Sequence, residues 1–529
     1  MEHLGTPFAY SAKLAECGSK HLALYLAIRE AITEGKLAPG ERLPSTRKLA
    51  ELYELSRGSV SLAYEMLTAE SFVQAGVGQG TFVSGWLQDD LGNAADKASK
   101  SSVEPDLTQW GRRLMDKQLP LAVSNEEAEP NGQTSPPARS RPSEVARPSS
   151  LSFVPEGVGA GWFPWMEWKA EVALQWKKFG TSWRNSGYTT EGSLELRQAI
   201  AGRLRRERGI ACDPDDVIIT AGSMQAIALL TQLLLEEGKT AVLENPSYTG
   251  ILNAVEATGA NVIAEQVDGN GIVPQDWAAQ LLFVTPTRQF PTGAVLSYER
   301  RRALLAWASR RNAWIVEDDY DSDFRWGGRP IEPLKSLDRE GRVIYVGTFS
   351  RSMSVGVRIG YAVVPKELVQ PFIAAKKLYD PYPTGIAEQL ALAKWMTEGG
   401  YDRHLRRMRR IYGKLENQLR VGLESHLEGL FEVIPSDAGL HVYARWKRSA
   451  EGYERLVREC AGRGLTWREG SLYDMPNRDS SQQPNPSALF GFAHMDEEQI
   501  EQGIKLIRRI AQTLGLIDSN RGQGGTVHA

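Results

Sequence analysis

Three short runs between residues 220 and 358 combine side chains that can hold a charged heterocycle and an anion. Glu317-Asp-Asp-Tyr320 closes the β-branched run that starts at Trp314, and a carboxylate at a strand end can pair with a protonated ring nitrogen. Gly347-Thr-Phe-Ser-Arg-Ser352, with Arg358 seven residues past Arg351, offers hydroxyls and a guanidinium to a phosphate. Thr220-Ala-Gly-Ser-Met-Gln225 follows a strand pattern and opens a helical one, so the amides of Ser223 and Met224 can meet an anion at the positive end of a helix. Each run has a plainer reading, because tight turns, acidic strand ends and helix caps use the same residues without a ligand.

A fourth run lies near the amino terminus. Ser56 caps a helical pattern that carries Val60, Tyr64 and Leu67, and its first turns present Arg57, Gly58, Ser59 and Ser61. In helix-turn-helix geometry these residues face base edges in the major groove, where Arg57 suits guanine. Arg42, Ser45, Thr46 and Arg47 suit phosphates, since charge and helix amides add there. Residues 1–84 hold eight Lys or Arg against nine Asp or Glu, so charge alone favours a three-helix protein-interaction module.

The elements that must carry these residues can be read from periodicity. Tyr25, Ile28 and Ile32 mark a first helix, stopped by Gly35, Pro39 and Gly40. Ser45 after Pro44 caps a short helix with Leu49 and Leu52, and Glu54, Leu55 and Ser56 are all that separate Tyr53 from Arg57. Phe72-Val-Gln-Ala and Thr81-Phe-Val flank a Gly-rich turn, which makes a wing. From Ser84 to about Ser150 the sequence is rich in Pro, Ser, Glu and Asn and reads as a flexible linker. Leu107-Thr-Gln-Trp-Gly-Arg-Arg-Leu114 is its exception, with a Leu and a Trp able to dock on a domain or to form a passing helical turn. Past Leu151, short β-branched runs at Val217, Ala241, Leu281, Trp314, Val343 and Tyr361 alternate with longer helical stretches. That alternation predicts an α/β sandwich on a mostly parallel sheet, with ligands at the carboxyl ends of the strands. After about Ile386 the pattern becomes a smaller α+β lobe with strands around Phe431 and His441 and a last helix from Asp496 to Leu514.

Composition sets the outer limits. The chain has 529 residues, 42% of them hydrophobic and 24% charged, with a net charge of −3, which suits several globular domains and excludes wholesale disorder. Binding to nucleic acid must then rest on a local patch. Cys17, Cys212 and Cys460 lack any zinc-ligand spacing, and no metal site is expected. No apolar run approaches the ~18 residues of a membrane span, so a soluble cytoplasmic protein is expected, with no membrane partner.

In their order, Gly40-Glu-Arg-Leu-Pro-Ser-Thr-Arg-Lys-Leu-Ala50, Ser56-Arg57, Val60-x-x-x-Tyr64-x-x-Leu67 and Gly78-x-Gly-Thr-Phe-Val83 resemble the GntR-type winged helix-turn-helix. The runs past Leu151 resemble fold-type I aminotransferases, which use pyridoxal 5′-phosphate (PLP). The whole chain is therefore similar to MocR/GabR-type transcriptional regulators. The resemblance implies a winged helix-turn-helix over residues 1–84, a linker over 85–150, an aminotransferase-like effector and dimerisation domain over 151–516 with a large α/β lobe and a small α+β lobe, and a disordered tail over 517–529. It implies that Asp318 pairs with the pyridine nitrogen, Tyr320 with the ring hydroxyl, and that Tyr248 of Asn245-Pro-Ser-Tyr stacks on the ring. Ser223, Met224, Ser350 and Arg358 would hold the phosphate. Tyr188 matches a residue lent to the partner subunit's site, which implies a head-to-tail homodimer.

The sequence departs from that pattern where the family's chemistry is done. A lysine follows Gly-Thr-Phe-Ser in the family and bonds covalently to PLP; here Arg351 follows, and a guanidinium that stays protonated is no nucleophile. The family's Ser-His-Gln-Phe-Pro reads Thr287-Arg-Gln-Phe-Pro291, and the strand that usually holds a carboxylate-binding arginine reads Ser487-Ala-Leu-Phe-Gly491. Lys335 and Lys376 lie in other elements. We therefore expect a regulator that binds double-stranded DNA and senses a small-molecule effector, with PLP held non-covalently if it is held, and no catalytic residues. The alternative is a PLP-dependent aminotransferase with an appended DNA-binding module.

Overall fold

The computed structural model describes residues 8–76, 80–84, 107–116, 151–155, 157, 159, 161–182, 189–326, 331–475 and 486–517, which belong to two units, Met1–Asp106 and Leu107–Ala529. The first unit contains α1 (Tyr10–Cys17), α2 (Lys20–Thr33), α3 (Thr46–Leu52) and α4 (Arg57–Ala69), then the hairpin strands β1 (Val73–Gly76) and β2 (Gly80–Val83). Ser45 accepts a hydrogen bond from the Lys48 amide and Ser56 one from the Ser59 amide, so both helices of the tight pair begin at the caps read from sequence. Helix α1 was not anticipated. It is only eight residues long, buries Tyr10 alone, and stops at Gly18 with φ +67, so it carries little periodic signal.

Leu24, Ile28, Leu49, Val60, Ala63 and Leu67 form the buried centre of this unit. Leu52, expected with them, is 63% exposed. The reason is the turn: α3 ends at Leu52, Glu54 takes a φ of +53, and Leu55 packs against the core instead. Tyr64 donates to the Pro44 carbonyl at 2.6 Å and so ties α4 to the entry of α3. In the wing, Val73 pairs with Val83 and Gly76 with Gly80; the turn residues 77–79 lie outside the described residues.

The second unit contains β3 (Leu151–Phe153), β4 (Val217–Thr220), β5 (Thr240–Asn245), β6 (Asn261–Asp268), β7 (Gly271–Ile272), β8 (Leu281–Val284), β9 (Trp314–Asp319), β10 (Val343–Thr348) and β11 (Gly360–Val363), followed by β12 (Phe431–Val433), β13 (His441–Trp446), β14 (Leu465–Glu469) and β15 (Ser487–Gly491). Its large sheet has the order β4-β11-β10-β9-β8-β5-β6-β7. The strands from β10 to β6 are parallel neighbours, while β11 runs antiparallel to both β10 and β4. Apolar layers cover both faces. Leu243, Phe283, Val316 and Ile344 lie in one, and Val242, Leu282, Ile315 and Val343 join Trp277 and Trp307 in the other. Burial on both faces is why these strands read as continuous apolar runs, and each such side chain contributes roughly 1.5–3 kcal/mol.

The small lobe is the five-stranded sheet β12-β13-β15-β14-β3. Its edge strand β3 comes from far earlier in the chain and pairs in parallel with β14, Leu151 opposite Leu465. Helices Gly400–His426 and Glu497–Thr513 pack together beside it, the second opened by an Asp496 capping box. Of the expected linker, only residues 107–116 are described, and Gln109–Asp116 is helical. The expected tail falls outside the described residues apart from Ile517. Among the described residues no helix is long and apolar enough to cross a membrane.

Candidate functional site

Strand β9 delivers three consecutive carboxylates to the carboxyl edge of the sheet, and the structure gives each a different environment. Glu317 accepts from the amides of Leu334 and Lys335, both at 2.8 Å, so it serves as a helix cap. Asp319 accepts from the hydroxyls of Tyr345 and Ser322. Asp318 alone makes no hydrogen bond among the described residues, although it is only 7% exposed and its Oδ1 is fully buried. Burial pushes its carboxyl up to about 7; neighbouring Asp319 adds to the rise and the Arg351 guanidinium opposes it. A buried acceptor without a donor costs roughly 1–3 kcal/mol or more, which makes Asp318 the one carboxylate here that lacks a partner it needs.

Around Asp318 stand an aromatic wall and a buried guanidinium. Phe290 is edge-on to Tyr248, Tyr320 and Tyr473, at centroid distances of 5.8, 5.6 and 4.9 Å. Leu489 is buried against the same group, in the strand that resembles the one usually holding a carboxylate-binding arginine in the family. Tyr248 starts the helix Thr249–Ala257, and its ring folds over Gly250, where a Cβ would lie 2.5 Å from the ring. In the sequence Arg288 is only a departure from a motif. In the fold it is almost fully buried, donates to the Tyr320 oxygen at 2.9 Å and to the His441 carbonyl at 2.9 Å, and pairs with Asp321 at 3.1 Å. Its bond to the Tyr320 oxygen leaves the tyrosine proton free to donate elsewhere. Gly439, at φ +91, makes room for it, since a Cβ there would overlap the guanidinium.

Arg351 follows the end of β10. Its charge acts on Asp318, Tyr320, Asp321, His441 and Tyr473, so the guanidinium faces the same interior. It lines a cavity of about 30 Å³ together with Asp319, Tyr320, Ser322 and Ser352. Among the described residues it makes no hydrogen bond or ion pair. Lys335 is held by the Val343 carbonyl at 2.6 Å, at the opposite end of β10, and Lys376 by Asp380 at 2.7 Å, so both amines are engaged elsewhere.

The expected phosphate end is assembled from three connections. Gly222, at φ +102, precedes the helix Ser223–Leu234, whose first amides no side chain caps. Arg358, itself at φ +51, donates to the Ala221 carbonyl at 2.6 Å, and its Nη2 lies 3.0 Å from where a Cβ on Gly222 would be. Ser350 is half-buried in the turn after β10, its amide bonded to Thr348 Oγ1 at 3.2 Å. The fold thus brings Ser223, Met224 and Arg358 to one end, and Asp318, Tyr320, Tyr248 and Arg351 to neighbouring positions. Tyr188 lies outside the described residues.

On the first unit, Arg57 and Gly58 are exposed at the start of α4, and Arg57 has no ion pair among the described residues. Ser61 and Thr46 are half-buried, and Ser45 is exposed at the start of α3. Ser59 shares a 2.8 Å hydrogen bond with the Ser56 hydroxyl, so it reinforces the cap. Arg47 pairs loosely with Glu51 at 3.5 Å, and Arg42 crosses the wing beside Gly80.

Comparison with known proteins agrees with both units. The family of bacterial regulatory proteins, gntR family, matches residues 20–83, and aminotransferase class I and II matches residues 169–506. The chain is 32% identical over 493 residues to the probable rhizopine catabolism regulatory protein MocR of Rhizobium meliloti, covering 92% of this chain and 93% of that protein. It is 30% identical to the pyridoxine biosynthesis transcriptional regulator PdxR of Corynebacterium glutamicum, with 89% and 92% covered. In fold it is similar to the kynurenine aminotransferase of Pyrococcus horikoshii, with a TM-score of 0.63 at 23% identity, covering 80% of this chain and 99% of the other.

Proposed function

Because the chain belongs to the MocR-type transcriptional regulators, which join a gntR-family DNA-binding domain to an aminotransferase class I and II domain, we propose that its second unit is a dimeric sensor that binds PLP non-covalently and does no transamination. The protein is a DNA-binding transcriptional regulator. The observation that carries the ligand reading is the orphaned carboxylate of Asp318, buried without a donor at the sheet edge. A protonated pyridine supplies the missing donor. Tyr320, with its proton left free by Arg288, donates to the ring hydroxyl; Tyr248 covers a ring face; the amides of Ser223 and Met224, the Ser350 hydroxyl and Arg358 receive the phosphate. PLP elsewhere supplies an aldehyde for a lysine amine and an electron sink. Arg351, standing where the family has that lysine, offers no such amine, and Leu489 offers no guanidinium to a substrate carboxylate. The match of Tyr188 to the family's pattern supports a head-to-tail homodimer in which each subunit completes its partner's site.

On the DNA side, Arg57, Gly58, Ser59 and Ser61 meet base edges and Arg42, Ser45, Thr46 and Arg47 meet phosphates. The test of the sensor is calorimetric titration of PLP into wild type, Asp318→Ala and Arg358→Ala. Asp318→Ala should weaken binding by about 10- to 100-fold, in line with the ~1.5–3 kcal/mol of a charged hydrogen bond, and Arg358→Ala by less, at its more exposed end. Borohydride should leave no PLP attached to wild type. Absence of heat with wild type would remove PLP from the reading, and covalent fixation would show that a lysine has been overlooked.

A further inference from the structure

Among the described residues, the segment 107–116 at the start of the second unit makes a contact that the ligand site does not need. Helix Gln109–Asp116 lies against helix Thr249–Ala257, and Arg113 Nε donates to the Ala257 carbonyl at 3.1 Å. That carbonyl is one of the last in its helix, where no intrahelical donor remains and the negative end of the helix favours a cation. Gly259, at φ +84, leaves the space for the guanidinium: a Cβ there would lie 2.9 Å from Arg113 Nη1. The segment also closes its own first turn, with the Gly111 amide on Thr108 Oγ1 and the Arg112 amide on the Thr108 carbonyl. Leu107, Gly111 and Leu114, spaced along one face, are half-buried, Trp110 and Met115 on its two flanks are 50% and 69% exposed, and Gln109 and Arg112 on the opposite face are exposed. Two helical turns are too short to be stable alone in water, so their order depends on the surface that receives them.

We propose that this surface is an anchor for the chain's own linker, so that the DNA-binding unit is tethered through residues 85–106 rather than through all of 85–150. The consequence is a limit on reach. From Ser84 to Leu107 the backbone spans at most about 80 Å, whereas from Ser84 to Leu151 it would span up to about 230 Å. The anchor therefore narrows the range of spacings at which two DNA-binding units on one dimer can be set. It sits at the carboxyl end of the helix that begins next to Tyr248, on the unit that senses the ligand.

Hydrogen exchange on the full chain tests the anchor, with a synthetic peptide of residues 105–118 as the free reference. The amides of residues 112–116 should exchange at least tenfold more slowly in the full chain than in the peptide. Arg113→Glu, which sets a like charge against the helix end, should abolish that difference, and Arg113→Lys should keep most of it. Small-angle X-ray scattering of the Arg113→Glu chain should show a longer maximum dimension than wild type. Peptide-like exchange in the wild-type chain would overturn the anchor itself. Protection that Arg113→Glu abolishes without any change in maximum dimension would overturn its role in setting reach.

Discussion

At the scale of single residues, Arg351 carries the most specific consequence. Lysine is similar in length but has an amine whose pKa falls when it is desolvated or placed near other cations, and the Arg288 guanidinium acts on Tyr320, Asp321 and His441 as that of Arg351 does. Arg351→Lys should therefore give chemistry that wild type lacks. With PLP the variant should turn yellow, and borohydride should fix the coenzyme to the introduced lysine, located by peptide mapping. Transaminase turnover should stay low because Leu489 cannot orient a carboxylate. A colourless, folded Arg351→Lys protein in excess PLP would mean that the pocket has diverged beyond one residue. Glu244 makes a second residue-scale prediction. Burial raises its carboxyl to about 7, against hydrogen bonds from Thr285 and Gln289 that lower it. The folded chain then holds a proton that the unfolded chain releases near pH 4.5, so stability from this group is lost as pH rises from about 4.5 through 7. The loss has an upper bound of roughly 3 kcal/mol, at ~1.4 kcal/mol per unit. Glu317 and Asp318, also raised to about 7, act in the same direction in the ligand-free protein. Glu244→Gln mimics the protonated form, and its thermal midpoint should fall less between pH 5 and pH 8 than that of wild type. Parallel curves would remove Glu244 from the balance.

At the scale of elements, the recognition helix is set by three local devices: the Ser56 cap, worth about 1 kcal/mol, the buried stripe Val60, Tyr64 and Leu67, and the Tyr64 bond to Pro44. All three leave Arg57 exposed on the first turn. Arg57→Ala should cost roughly 1–3 kcal/mol in binding to a fragment from upstream of its own coding sequence, and should relax sequence preference at one base pair. Affinity should fall steeply with salt, because Arg42, Arg47 and Lys48 displace counterions. A gel-shift series in which Arg57→Ala matches wild type in both affinity and preference would take Arg57 out of the readout.

At the scale of the whole molecule, the proposal of a dimeric second unit implies that two DNA-binding units gain from effective concentration. A chain ending at Ser84 keeps the complete apolar centre of the first unit and should fold. It should nevertheless bind the same DNA about 10²-fold or more weakly than the full chain, as measured in parallel shift assays. Equal affinity would show that the second unit does not pair the modules.

Much of this was legible in the sequence because it depends on local rules. Ser45 and Ser56 announce helix starts, apolar runs buried on both faces announce the strands β4, β8 and β9, and Gly222 before Ser223 announces a turn into a helix. Helix α1 and the strand β6 were not legible: the first buries one residue, and the second, near the sheet edge, has no fully buried residue and a run of four half-buried ones in place of a clean alternation. The site divides in the same way. Residue type alone made Asp318, Tyr320, Arg351 and Arg358 candidates, but three adjacent carboxylates look alike in sequence. Only the fold separates Glu317, satisfied by amides, and Asp319, satisfied by hydroxyls, from Asp318, which has no partner. Arg288 enters the site, and Arg113 reaches Ala257, through contacts between residues 32 and 144 positions apart. Local propensity carries no information about such pairs, because they exist only once the chain has closed and burial has decided which polar groups must find each other.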